Sequence, residues 1–237
     1  MRPGSTPGST TAMAKITAVS DLHGDLPKIQ ECDILLICGD TVPLNVQRSG
    51  QNTRQWLKQE FLPWADKLKC KHVVIIPGNH DWEMFWSPDK VKKIFEGTKV
   101  EFLCDSRVVL MGIEFYGTPW GSGLPNWAFY MPHDKILAQF DNIPENLDIL
   151  ISHCPPANYG DTDCVLQPSY NFANHYGCPE LGEVISKKKP KYVFCGHIHS
   201  GDHTPYEKDG VTVVNCSLKD ENYDVTYKPF TFEYGSN

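Results

Sequence analysis

Five short runs in this chain end in side chains that bind metal ions. Asp21-Leu22-His23, Gly39-Asp40, Gly78-Asn79-His80-Asp81, His153 and Gly196-His197-Ile198-His199 each follow an apolar, mostly branched stretch. Carboxylate oxygens, an amide oxygen and imidazole nitrogens suit divalent first-row cations, and two such ions use this donor set better than one. Singly, each run reads equally well as turn chemistry, because Asn and Asp are favoured turn residues. Their recurrence at the ends of five strands shifts the reading toward metal chemistry.

The elements that must position these residues are legible as apolar runs closed by polar or Gly-containing segments. Residues 15–20, 33–38, 72–76, 148–152 and 192–196 are predicted strands. Placed as parallel neighbours in a sheet, they gather two Asp, one Asn and four His at one carboxyl edge, where open α/β sheets carry their chemistry. Between them, Leu57, Phe61, Trp64 and Leu68 repeat at helical spacing over residues 53–69, with Thr53 as the expected N-cap and Pro63 as an expected kink. Ser87-Pro88 opens a second helix that buries Val91, Ile94 and Phe95 and stops at Gly97. Residues 100–117 read as two or three strands turning at Met111-Gly112, and two more strands follow at 211–215 and 230–234. Residues 117–130 form a loop rich in Gly, Pro and aromatics, suited to stacking a substrate ring or to capping a core. Residues 154–177 form a second irregular stretch, in which Asn171, His175 and Tyr176 are expected to border the site.

Composition bounds the rest. A chain of 237 residues, 41% hydrophobic, fits one domain, here residues 14–237. Residues 1–13, Gly-, Ser- and Thr-rich, read as a disordered tail or an expression leftover. The net charge of -7 argues against a stable nucleic-acid complex. Lys187-Lys188-Lys189 reads as a solvated helix end. No apolar run reaches the ~20 residues needed to span a bilayer, and no signal-peptide core is evident, so a soluble protein that neither enters a membrane nor is secreted is expected. Nine cysteines without a Cys-x-x-Cys spacing suit a reducing, cytoplasmic setting, with Cys38, Cys104 and Cys195 packing as small hydrophobes.

Taken in order, the five metal-type runs match all five blocks of the calcineurin-like metallophosphoesterases. Outside the blocks, Gly177-Cys178-Pro179-Glu180-Leu181, Gly196-His197-Ile198-His199-Ser200-Gly201 and Val214-Asn215-Cys216-Ser217 through Lys228-Pro229 resemble the metallophosphoesterase-domain-containing, class III phosphodiesterase-like branch. The resemblance runs over roughly residues 15–235. It implies a four-layer α/β/β/α sandwich of two mixed sheets flanked by helices, with the metal site at the carboxyl ends of the strands. The second sheet would be filled by the hairpin and the two C-terminal strands.

The same resemblance implies two divalent ions, manganese favoured over iron or zinc. Asp21, His23, Asp40 and His199 would hold one ion, and Asp40, Asn79, His153 and His197 the other. Two such ions with two carboxylates and one bridging hydroxide leave about +1 at the centre, so an acidic protein still attracts a phosphate ester there. The expected reaction is in-line attack of that hydroxide on a small phosphodiester, cyclic nucleotides included, with His80 as general acid and Asp81 orienting its ring. A phosphomonoesterase or protein phosphatase and a catalytically weak metal-binding scaffold are the alternatives. Against a protein phosphatase, Gly39-Asp40-Thr41-Val42-Pro43 lacks the Asp-Arg-Gly that follows this Asp in those enzymes, and against a scaffold, no ligand is missing.

Overall fold

A computed structural model describes residues 13–161 and 175–235. In chain order the strands are β1 (Met13–Val19), β2 (Ile34–Cys38), β3 (His72–Ile76), β4 (Val100–Phe102), β5 (Ser106–Leu110), β6 (Ile113–Thr118), β7 (Ile149–Ser152), β8 (Tyr192–Cys195), β9 (Tyr206–Lys208), β10 (Val211–Asn215) and β11 (Phe230–Gly235). The helices are α1 (Gly50–Trp56), α2 (Leu62–Lys67), α3 (Trp82–Trp86), α4 (Pro88–Phe95), α5 (His133–Phe140) and α6 (Pro179–Lys188).

The strands that lead to metal-type residues are nearly all buried along their length, β2 and β7 completely. A strand can be apolar on both faces only where both faces are covered, and that dictates layers. Ile16, Ile34, Leu36, Val74, Phe115, Ile149, Ile151 and Phe194 pack between two sheets. The outer face of one sheet carries Leu35, Ile37, Val73 and Ile75 against Leu57, Phe61, Ala65, Val91 and Phe95 of the helical layer. The outer face of the other carries Leu150 and Val193 against Ile136 and Phe140 of α5 and Leu181 and Ile185 of α6. Two mixed sheets flanked by helices result, as the family resemblance implies.

Strand membership corrects two expectations. The five strands do not lie in one sheet: β1, β2 and β3 belong to a five-stranded sheet ordered β11-β1-β2-β3-β4, and β7 and β8 to a six-stranded sheet ordered β5-β6-β7-β8-β10-β9. Nor does the last strand fill the second sheet, because β11 pairs antiparallel with β1 in the first. Its alternating burial, with one face on the core and one on solvent, is that of an edge strand. The two sheets are joined where the carboxyl ends meet: the Ser20 N–H donates to the Cys216 carbonyl at 2.7 Å and the Leu218 N–H to the Ser20 carbonyl at 3.1 Å.

The first helical run also differs in detail. Ser49, not Thr53, caps it, its side chain accepting from the Asn52 N–H. Thr53 is buried and donates to the Val46 carbonyl. Ahead of Pro63 the chain widens into a π turn over Leu57–Phe61 before α2 continues. A wider turn accommodates the proline ring and its missing N–H without ending the helical run.

Candidate metal centre

The loops after β1, β2, β3, β7 and β8 converge between the sheets at one end of the molecule. Asp21 N–H donates to the Gly39 carbonyl, His23 N–H to the Asp40 carbonyl and Gly196 N–H to the His153 carbonyl, so the loop after β1 is tied to that after β2 and the loop after β7 to that after β8. Four of the site residues hold left-handed backbone, with φ of 56° at Asp21, 44° at His23, 51° at Asp40 and 70° at His197. Such conformations are costly for residues with a Cβ and cluster where the surrounding structure has a use for them. Close approach also demands Gly78 and Gly196: a Cβ on the first would collide with the Asp40 carboxylate, and one on the second with that of Asp21.

Asp40 sits at the middle of the group. Its Oδ2 lies 3.4 Å from His153 Nε2, 3.9 Å from His23 Nε2 and 3.9 Å from His80 Nε2. Asp21 Oδ1 lies 3.4 Å from His199 Nε2, and Asp21 Oδ2 accepts from the His197 N–H at 2.9 Å. Asn79 Oδ1 is 2.8 Å from His153 Nε2, and the His197 ring packs edge-on against that of His153, centroids 5.1 Å apart. Ligand-type atoms of Asp21, His23 and His199, of His23, Asp40 and His80, and of Asp21, Asp40 and His153 form three sets whose members lie within 4.8 Å of one another. All nine residues singled out from the sequence are therefore in or beside one place, although His197 enters none of these three sets.

Charge and burial act against each other here. Burial opposes ionisation of Asp21 and Asp40, yet the surrounding imidazoles hold both well below the usual carboxylate range. His153 is completely buried, which would lower its pKa, but Asp40 and Asp21 raise it to about 9. Burial dominates at His23 and His197, pushing each down to about 4.

The donor atoms fit divalent cations. Asp21 Oδ1 and both ring nitrogens of His23 are buried with no hydrogen-bond partner, an expensive state unless a ligand completes it. His153 and His199 each donate from Nδ1 to a main-chain carbonyl, of Cys38 and Asp220, which leaves Nε2 facing a carboxylate. Imidazoles that hold metals are oriented in this way.

Asp81 does not orient His80. Its carboxyl accepts from the Gly78 N–H at 2.8 Å, the Val42 N–H at 3.0 Å and the Thr41 N–H at 3.2 Å, stitching the loop after β2 to the loop after β3. Burial and the nearby Asp40 push its pKa up to about 7. The partner of the His80 ring is Gln47, whose Oε1 lies 2.8 Å from Nδ1. Trp127 packs on the same ring at 4.4 Å between centroids. Nothing in the spacing around Gln47 marks it, whereas Trp127 lies in the aromatic loop flagged from the sequence. Trp120 of that loop packs into the core beside Phe129 and donates to Asp105.

A cavity of about 380 Å³ opens over the group, lined by Asp40, Asn79, His80, His197 and His199 together with Tyr176, Glu221 and Tyr223. Tyr223 has no counterpart in the sequence reading. Its ring lies 4.9 Å from that of His23 and 5.1 Å from that of His199. Tyr176 borders the site as expected, His175 instead pairs with Asp161 at 2.9 Å, and Asn171 lies outside the described residues.

Comparison with known proteins agrees with this geometry. The family model for calcineurin-like phosphoesterases matches residues 14–201. The "UPF0046 protein T07D4.2" of Caenorhabditis elegans is 28% identical over 252 residues, covering 92% of this chain but only 59% of the nematode protein. The human "Metallophosphoesterase domain-containing protein 1" is 29% identical over 245 residues, covering 92% of this chain and 70% of the human one. Among solved structures, the phosphopantetheinyl hydrolase of Mycobacterium tuberculosis shares the fold with a TM-score of 0.57 at 16% identity, over 90% of this chain and 92% of that one. A match over most of the chain, on a fold whose strand ends bring the five blocks together, places this protein in the calcineurin-like phosphoesterase family.

Proposed function

We propose that the chain is a dinuclear-metal-dependent phosphodiesterase acting on small phosphodiesters, cyclic nucleotides among them. Asp21, His23, Asp40 and His199 hold one divalent ion and Asp40, Asn79, His153 and His197 the other, with manganese favoured and iron or zinc compatible with the same donors. When bound, the ions supply a nucleophilic water at neutral pH and polarise the phosphoryl oxygens. His80 donates the proton that the departing oxygen needs. Its Nε2 lies on the Asp40 side of the ring, and the residue lines the cavity.

The lining of the cavity is the observation that carries the preference for a diester. Among the described lining residues there is no Lys or Arg, and Glu221 adds a negative charge. A monoester dianion brings an extra charge that this wall does not neutralise; a singly charged diester does not. All eight described cysteines are free thiols, which supports a reducing, cytoplasmic setting. No helix among the described residues is long and apolar enough to cross a membrane.

The deciding experiment strips the protein with chelator, reloads it with Mn²⁺ and compares matched phosphomonoesters, linear diesters and cyclic nucleotides. Turnover should require metal and favour the diesters. A preference for monoesters would instead support the phosphomonoesterase reading.

A further inference from the structure

The side chain that governs His80 comes from a segment without a motif. Gln47 Nε2 donates to the Leu44 carbonyl at 3.1 Å. A carbonyl oxygen only accepts, so the amide nitrogen must face it and Oε1 must face the His80 ring. Oε1 likewise only accepts, so His80 Nδ1, 2.8 Å away, must carry a proton. In the neutral ring that is the single proton, and Nε2, 3.9 Å from Asp40 Oδ2, holds a lone pair.

The segment that presents Gln47 is itself anchored. The guanidinium of the next residue, Arg48, lies 4.4 Å from the Trp82 ring centroid and 5.4 Å from that of Trp127. Trp127 then covers the face of His80. One edge of the imidazole is thus hydrogen-bonded and one face packed. The remaining nitrogen, Nε2, lies 3.9 Å from Asp40 Oδ2, and both residues line the cavity.

We propose that Gln47 is a positioning residue that fixes the tautomer and aim of His80, the role expected of Asp81. This rests on the reading of His80 as the proton donor. Gln47 holds the Nδ1 proton in place, so Nε2 is the nitrogen that takes up a proton from solvent to form the imidazolium and then passes that proton to the leaving oxygen, returning the ring to its neutral Nδ1-protonated form. Because the partner is a neutral amide, its effect is directional: it selects which nitrogen faces the substrate without adding a charge beside the two carboxylates.

The test uses Mn²⁺-loaded protein with two diesters, one with an alkyl and one with a nitrophenyl leaving group, and Zn²⁺-loaded protein for imidazole ¹⁵N spectra. Gln47→Met, close in size but without an amide, should keep parental metal content and lose about 10- to 10²-fold on the alkyl diester. It should lose little on the nitrophenyl diester, whose leaving group needs no proton. Gln47→Glu, which restores an acceptor, should recover most of the loss. On a His80→Asn background Gln47→Met should add nothing, because both act through one ring. The His80 spectrum should show Nδ1 protonated in the parent and mixed tautomers in Gln47→Met.

Equal losses on the two diesters, additivity with His80→Asn, or an unchanged His80 spectrum would overturn the proposal. If His80→Asn alone fails to distinguish the two diesters, the proton-donor reading falls. The ¹⁵N spectra then still decide whether Gln47 sets the ring.

Discussion

The Asp40 carboxylate meets His80 twice. Oδ1 accepts from the His80 main-chain N–H at 2.7 Å, and Oδ2 stands 3.9 Å from Nε2 of the same residue's ring. One carboxylate therefore fixes the backbone from which the proposed acid projects and marks the point toward which its ring is aimed. With His153 and His23 facing the same Oδ2, Asp40 joins the proposed metal ligands to the proposed proton donor.

Asp40→Asn is accordingly predicted to reduce bound metal more than Asp21→Asn does. If Asp40 is the carboxylate common to both ions, as proposed, its loss would raise the repulsion between them. Metal content per chain, measured after equilibrium dialysis against Mn²⁺, reads this directly. Tight binding of two ions by Asp40→Asn would refute the shared position.

His80→Asn is predicted to leave metal content nearly intact and to cost on the order of 10²–10⁴ in rate on a diester with an alkoxide leaving group. On the nitrophenyl diester the loss should be much smaller. If chemistry is the slow step and both substrates suffer alike, His80 stabilises charge rather than supplying a proton.

Asp81→Ala strands three main-chain N–H groups, of Gly78, Thr41 and Val42, at a position with no solvent exposure. Each buried donor left without an acceptor is costly, so a loss of about 3 kcal/mol or more in unfolding free energy is expected. Denaturant melts of the metal-free protein measure it. A variant as stable as the parent would show that these contacts do not hold the two loops together.

At the opposite end of the sheets Asp148 accepts from the Glu114 N–H at 3.0 Å, Lys191 Nζ at 2.8 Å and the Tyr234 hydroxyl at 2.6 Å, linking β6, β11 and the approach to β8. Burial works to raise its pKa, but these donors lower it overall. A folded-state pKa below the unfolded one stabilises the native state above the unfolded value and is lost as pH falls through the folded value. Asp148→Asn should therefore be destabilised by about 1 kcal/mol near pH 7, with the gap closing as pH falls below about 4. A difference that persists unchanged at lower pH would assign the effect to packing instead of charge.

The legible part of this molecule is the local part. Apolar runs ending in polar residues mark β1, β2, β3, β7 and β8, and the five blocks mark the donors, because both are patterns among neighbours in the chain. Sheet membership is not of that kind. β11 pairs with β1 across more than 200 residues, from Met13↔Gly235 to Ala18↔Phe230, and an edge strand looks much the same whichever sheet receives it. Asp81 and Gln47 show the same limit at the site. Asp81 is adjacent to His80 in sequence, yet its carboxyl is turned back onto main-chain N–H groups. Gln47, 33 residues away, reaches the ring through the course of a loop that no spacing encodes.

The left-handed backbone at Asp21, His23, Asp40 and His197 sets durability against activity. At His23, whose ring nitrogens have no hydrogen-bond partner, glycine would adopt the same backbone without the Cβ penalty and would remove an unsatisfied polar group, whereas Asp21 and Asp40 also accept main-chain N–H groups that glycine would strand. Selecting variants for heat resistance alone, in metal-free medium, should therefore erode the centre from His23. Any effort to harden the protein has to impose metal-dependent turnover as a second screen.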